Sequence, residues 1–141
     1  MYTALDNITG QISEATLIQL TDDEGIEIVN TDRVDAAIAD ADALIDGYCS
    51  SRYVVPFNPV PAIIAKCSLD IAVYNLYARR VETMPEVRDK NYANAIKLLQ
   101  SISKGDVSLG ASTMAPKSEP ARTAAATSNT RQFTRDTLKG L

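Results

Sequence analysis

Over residues 31–78 apolar side chains recur at helical spacing twice, on either side of a segment that no helix can cross. Val34, Ile38, Ala41, Ile45 and Tyr48 fall three or four residues apart and define one face, with Asp35, Asp40, Asp42 and Asp46 mostly off it. Residues 51–61 hold Pro56, Pro59 and Pro61 together with Tyr53, Val54, Val55 and Phe57. Proline removes an amide donor and clashes with the preceding turn, so this stretch is an elbow. A second face follows at Ile64, Cys67, Ile71, Tyr74 and Ala78. The pattern predicts long helices near 31–50 and 61–81, with Thr31 as the N-cap of the first and Pro61 or Ala62 opening the second.

Shorter elements precede and follow this pair. Helices are predicted over 3–8, stopped by Gly10, and over 13–20, where Leu17, Ile18 and Leu20 cluster. Residues 26–29 (Ile-Glu-Ile-Val) have the alternation of a brief extended piece. Thr83-Met84-Pro85-Glu86 has the form of a capping box, opening a helix over 84–104. Val87, Asn91, Ala95, Leu98, Leu99 and Ile102 give that helix a looser stripe, and Gly105 after Lys104 is its expected stop. The fold class expected is all-α: a small helical bundle with an extended C-terminal tail.

Composition then divides the chain. Residues 1–110 form the expected helical body, with 9 Lys/Arg against 16 Asp/Glu, and residues 111–141 the tail, with 5 against 2. The first part of the tail is almost wholly Ala, Ser, Thr, Pro and scattered charges, with Met114 its one large apolar side chain through residue 128. Such a segment buries too little to offset its ordering entropy in isolation. Phe133, Leu138 and Leu141 then return among Arg131, Arg135 and Lys139, which reads as an anchor on a tether. An acidic body argues against general phosphate gripping, which needs a basic patch.

The candidate chemistry is thin. The chain has no histidine, the commonest general base and metal ligand. Cys49 and Cys67 have no metal-ligand spacing, and Cys67 reads as a small core residue. No apolar run approaches a membrane span, and the first residues lack the pattern of a signal peptide. Asp22-Asp23-Glu24-Gly25 fails the calcium-loop spacing: with Gly25 at the sixth position, Leu20 stands at the first and cannot ligate. An acidic surface turn is expected there. The aspartates of the first long helix read as a solvated face, and Asp70 as half of an ion pair with an arginine such as Arg52. No phosphate loop or nucleophile elbow occurs. The expectation is a protein that is not an enzyme and takes no cofactor or metal.

Several segments in order resemble the tailed-phage head–tail connector proteins of the Mu-like kind, the small adaptors of the neck. They are Met1-Tyr2-Thr3, residues 17–22, Leu44-Ile45-Asp46-Gly47-Tyr48 with Arg52-Tyr53, and the proline-rich elbow to Pro61. Asp70-Ile71-Ala72, Tyr74, Leu76-Tyr77, Tyr92, Ala95-Ile96, Leu98-Leu99, Gly105 and Leu109-Gly110 complete the set. The resemblance covers residues 1–110 and leaves the tail unmatched. It implies a structural virion protein at the head–tail junction, assembled in the host cytoplasm. Its implied partners are the portal protein, a downstream neck or tail protein, and copies of itself in a roughly twelve-fold ring with DNA passing through the lumen unbound.

Two contact regions follow as expectations. Arg131, Phe133, Arg135, Leu138 and Lys139 would dock on portal, or on a neighbouring subunit. Arg52, Tyr53, Val54, Val55 and Phe57 would either fold back over the chain's own core or form a subunit or neck contact. The alternative function is a monomeric regulatory or scaffolding module that binds a partner through its C-terminal tail.

Overall fold

The computed structural model describes residues 1–80 and 84–113 and contains five helices among them: α1 Leu5–Thr9, α2 Glu14–Thr21, α3 Thr31–Cys49, α4 Ala62–Ala78 and α5 Glu86–Lys104. Helices α3 and α4 form an antiparallel hairpin around the elbow, and α5 packs mainly on α4. The first two helices close the remaining side of the hairpin. No strand occurs among the described residues, so the all-α expectation holds.

The hydrophobic stripe of α3 is the expected one, with Val34, Ile38, Ala41 and Ile45 fully buried and Ala37 and Cys49 added to it. Helix α4 is different. It buries Ile64, Cys67 and Ile71 as its spacing requires, but also Ala72, Val73 and Leu76, while Ala78 is exposed. A helix flanked on several sides is apolar nearly all round, so a single stripe understates it. On α5 only Ala95, Leu99 and Ile102 are fully covered, and Val87 is 64% exposed. Tyr74 of α4 stacks on Tyr92 of α5 with ring centroids 4.0 Å apart, tying the two helices outside the aliphatic core.

Helix ends depart from expectation in instructive ways. The N-cap of α3 is Asn30, whose side chain accepts from the Arg33 amide, and Thr31 is already helical. Asn30 in turn donates its own amide to the buried Thr21 hydroxyl, so tertiary contact selects the cap. Glu86 is the first residue of α5, two positions too early to serve as the far half of a capping box, and it pairs instead with Lys90. Thr83 lies outside the described residues. Gly105 ends α5 as expected: its φ of +94° permits the amides of Gly105 and Asp106 to reach back to Ile102 and Ser101 carbonyls. Residues 26–29 form no strand.

Candidate functional site

The elbow is built by alternation. The carbonyl of Cys49 accepts the amides of both Arg52 and Tyr53, turning the chain sharply off the end of α3. Tyr53 and Phe57 then point inward, 1% and 5% exposed, with centroids 6.0 Å apart and Tyr2 packed 5.8 Å from Phe57 on the other side. Val54 between them faces outward and is 56% exposed. Val55 is half-buried and Arg52 exposed. Of the five residues expected to make a subunit or neck contact, Tyr53 and Phe57 therefore belong to the molecule's own core, and Val54 and Arg52 remain on the surface.

A polar network fixes the elbow from beneath. Tyr2 donates its amide to Asp42 Oδ2 at 2.9 Å, and Ser68 donates to Asp42 Oδ1 at 2.8 Å. The Tyr2 hydroxyl donates to Asp46 and accepts the buried Phe57 amide at 3.1 Å. One phenol thus ties the start of the chain, α3 and the elbow together. Burial, reinforced by the hydrogen bond to Asp46, pushes the Tyr2 hydroxyl well above the usual phenol range. Asp42 and Asp46 are accordingly not part of a solvated face, unlike the exposed Asp35 and Asp40. Their spacing of four residues placed them on one side of α3, but nothing local marked Tyr2 as the partner.

The chain after α5 returns to the same place. Leu109 donates its amide to the Tyr53 hydroxyl at 3.1 Å, Val54 donates to the Ser112 carbonyl at 3.2 Å, and Thr113 pairs with Tyr53 as an isolated antiparallel bridge. Between this segment and the elbow lies an open groove of about 470 Å³, walled by Val54, Pro56, Phe57, Pro59, Val60 and Leu109 among others. Arg52 lies against Gly105, so that a Cβ built on that glycine would fall on its guanidinium. This places a cation at the negative end of α5. Asp70 pairs instead with Lys66, one turn back on α4, at 2.7 Å. The expected Arg52–Asp70 pair is therefore replaced by a local one, since α4 supplies a lysine at the favourable spacing.

At the far end of the hairpin, residues 22–30 form a knuckle. The Asp22 carboxylate accepts the amides of Glu24, Gly25 and Glu27, and these bonds, led by that of Glu27, hold its carboxyl below the usual range. Arg79 grips Asp23 through both terminal nitrogens, at 2.7 and 2.8 Å, and also reaches the Leu20 carbonyl. Arg33 and Arg80 add further ion pairs to Asp23. The hydrogen bond from Arg79 keeps the Asp23 carboxyl low and raises the arginine in return. The acidic turn is thus a structural clasp, its Asp22 carboxylate turned on its own backbone.

The elbow and the residues that lock it lie within segments that carry the Mu-like resemblance, and comparison with known proteins supports a Mu-like family. The profile of the family described as "Bacteriophage Mu, Gp36" matches residues 2–128. The chain belongs to that Mu Gp36 family. It is also similar to a "Mu-like prophage FluMu protein gp36" of Haemophilus influenzae, with 34% identity over 80 residues. That match covers 57% of this chain and 55% of the relative, so the chain spans about half the length of the curated relative it matches. This Mu Gp36 family member is therefore a phage protein, and no helix among its described residues is long and apolar enough to cross a membrane. Arg131, Phe133, Arg135, Leu138 and Lys139, expected at the portal, lie outside the described residues.

Proposed function

We propose that this protein is a structural, non-catalytic adaptor of the phage neck, forming a ring between the portal and the next neck or tail component. Family membership across residues 2–128 is the observation that carries the reading. The architecture supports it: a rigid helical hairpin whose two ends present different surfaces suits an interface that repeats around an axis. Heterologous contacts of that kind close into rings without requiring a two-fold symmetric patch. DNA passes through the lumen without specific binding. The excess of acid over base in residues 1–110 fits a wall that repels phosphate and lets a genome slide.

Imaging the purified protein mixed with portal-bearing capsids tests the proposal. A collar of regular symmetry at the portal vertex is expected. Capsid vertices left bare at saturating protein would overturn it and favour a monomeric module acting through its C-terminal tail.

A further inference from the structure

We infer that the knuckle of one copy seats in the elbow groove of the next, Ile26 and Ile28 entering the apolar trough beside Val54. The inference rests on the ring reading and names the surfaces that would build it. Ile26 and Ile28 are 59% and 62% exposed, in a loop whose backbone is held at three amides by Asp22 and whose base is held by Arg33, Arg79 and Arg80. Between them Glu27 takes a φ of +57°, a conformation unfavourable to any residue with a Cβ. That residue is kept in place by the hydrogen bond its amide donates to Asp22, and it separates two exposed isoleucines that no element covers among the described residues. Lone exposed apolar residues need no explanation, but a clasped and strained loop that holds two of them out is built to present them.

The groove is the complementary feature. It is mostly apolar, proline-walled and open, with Asn58 and Ser112 also in its lining, and Val54 in its wall is 56% exposed. Charges are opposite as well. Glu24 and Glu27 on the knuckle and Arg52, two residues before the groove-lining Val54, have no ion-pair partner among the described residues. The two surfaces also lie at opposite ends of the hairpin. The knuckle adjoins the start of α3 and the end of α4, and the elbow joins the end of α3 to the start of α4, about 28 Å away along a 19-residue helix. One copy therefore cannot satisfy its own groove with its own knuckle. A head-to-tail contact between copies can.

Two variants of the full chain test this, followed by light scattering after size separation. Ile26→Asp with Ile28→Asp spoils the knuckle, and Val54→Asp spoils the groove. Both change exposed side chains, and circular dichroism checks that helix content is retained. Each variant alone is expected to run at the mass of one chain under conditions where the unmutated protein assembles. Mixed in equal amounts, they are expected to form a species of two chains and nothing larger, because one intact knuckle meets one intact groove. Assembly that survives in either variant would overturn the pairing while leaving the ring intact, including the case in which residues beyond 113 fill the groove. A mixture that stays monomeric would overturn it too. An unmutated protein that never assembles, alone or on portal-bearing capsids, removes the ring reading and the pairing with it.

Discussion

Single side chains decide how the elbow is held, and Tyr2 is the one with the most to lose. Its hydroxyl is the acceptor for a buried amide at Phe57 and the donor to Asp46. Replacing it with phenylalanine keeps the ring contact with Phe57 but leaves that amide unsatisfied, a loss of about 1–3 kcal/mol. Urea denaturation should show a lowered midpoint for Tyr2→Phe, whereas Tyr92→Phe, which retains its stack on Tyr74, should leave the midpoint nearly unchanged. Among the described glycines, Gly105 is the one that combines a left-handed backbone with a close neighbour. Its φ of +94° and the guanidinium packed over it make Gly105→Ala unfavourable by about 1–2 kcal/mol. The exposed Arg52 can move aside, but the backbone cannot, so most of the loss should persist in an Arg52→Ala background. Cys49 and Cys67 are buried, and burial pushes both thiols up to about 11. Neither should react with a thiol reagent at pH 8 until the chain unfolds, when both should react.

Elements show which of these features sequence alone makes legible. The extents of α3, α4 and α5 follow to within a few residues from hydrophobic period, the prolines of the elbow and Pro85, and Gly105, because those signals act close to the boundary they set; the start of α3 is the exception, since its cap is held by Thr21. The clasp over residues 22–30 was legible only as acidic and turn-like, since its meaning depends on Arg79 and Arg80 more than 50 residues away. Ile26, Glu27 and Ile28 alternate as in an extended piece, but the Glu27 amide is taken by the Asp22 carboxylate instead. At the elbow, alternation separated Val54 from Tyr53 and Phe57 in space, but which set faces the core was fixed by Tyr2 and Leu109 from outside the segment. The clasp also carries a pH signature. Asp23 has a folded-state carboxyl below its ordinary 3.8, so its contribution is complete above that value and is lost as pH falls through the lower folded-state one. Wild type should therefore melt above Asp23→Asn at pH 7, and the gap between their Tm values should shrink steadily below pH 3.8.

For the molecule as a whole, the division of labour between body and C-terminal residues can be tested by removing residues 129–141. The described core is drawn entirely from Tyr2 to Ile102, and the expectation is that it forms without those thirteen positions. Thermal unfolding of the truncated protein should match that of the full chain. Residues 114–141, if extended, reach roughly 95 Å from the elbow, enough to carry Phe133 and Leu138 to a distant partner. With Arg131, Arg135 and Lys139 beside them, that partner would offer apolar pockets rimmed by acid. If it is the portal, truncation abolishes attachment to portal-bearing capsids while leaving any self-assembly of the body in place. If it is a neighbouring subunit, truncation lowers the mass of the assembly itself. Co-sedimentation with capsids and light scattering on the same sample separate the two. Undiminished binding with undiminished mass would show that residues 1–128 make every contact, and the anchor would then serve neither.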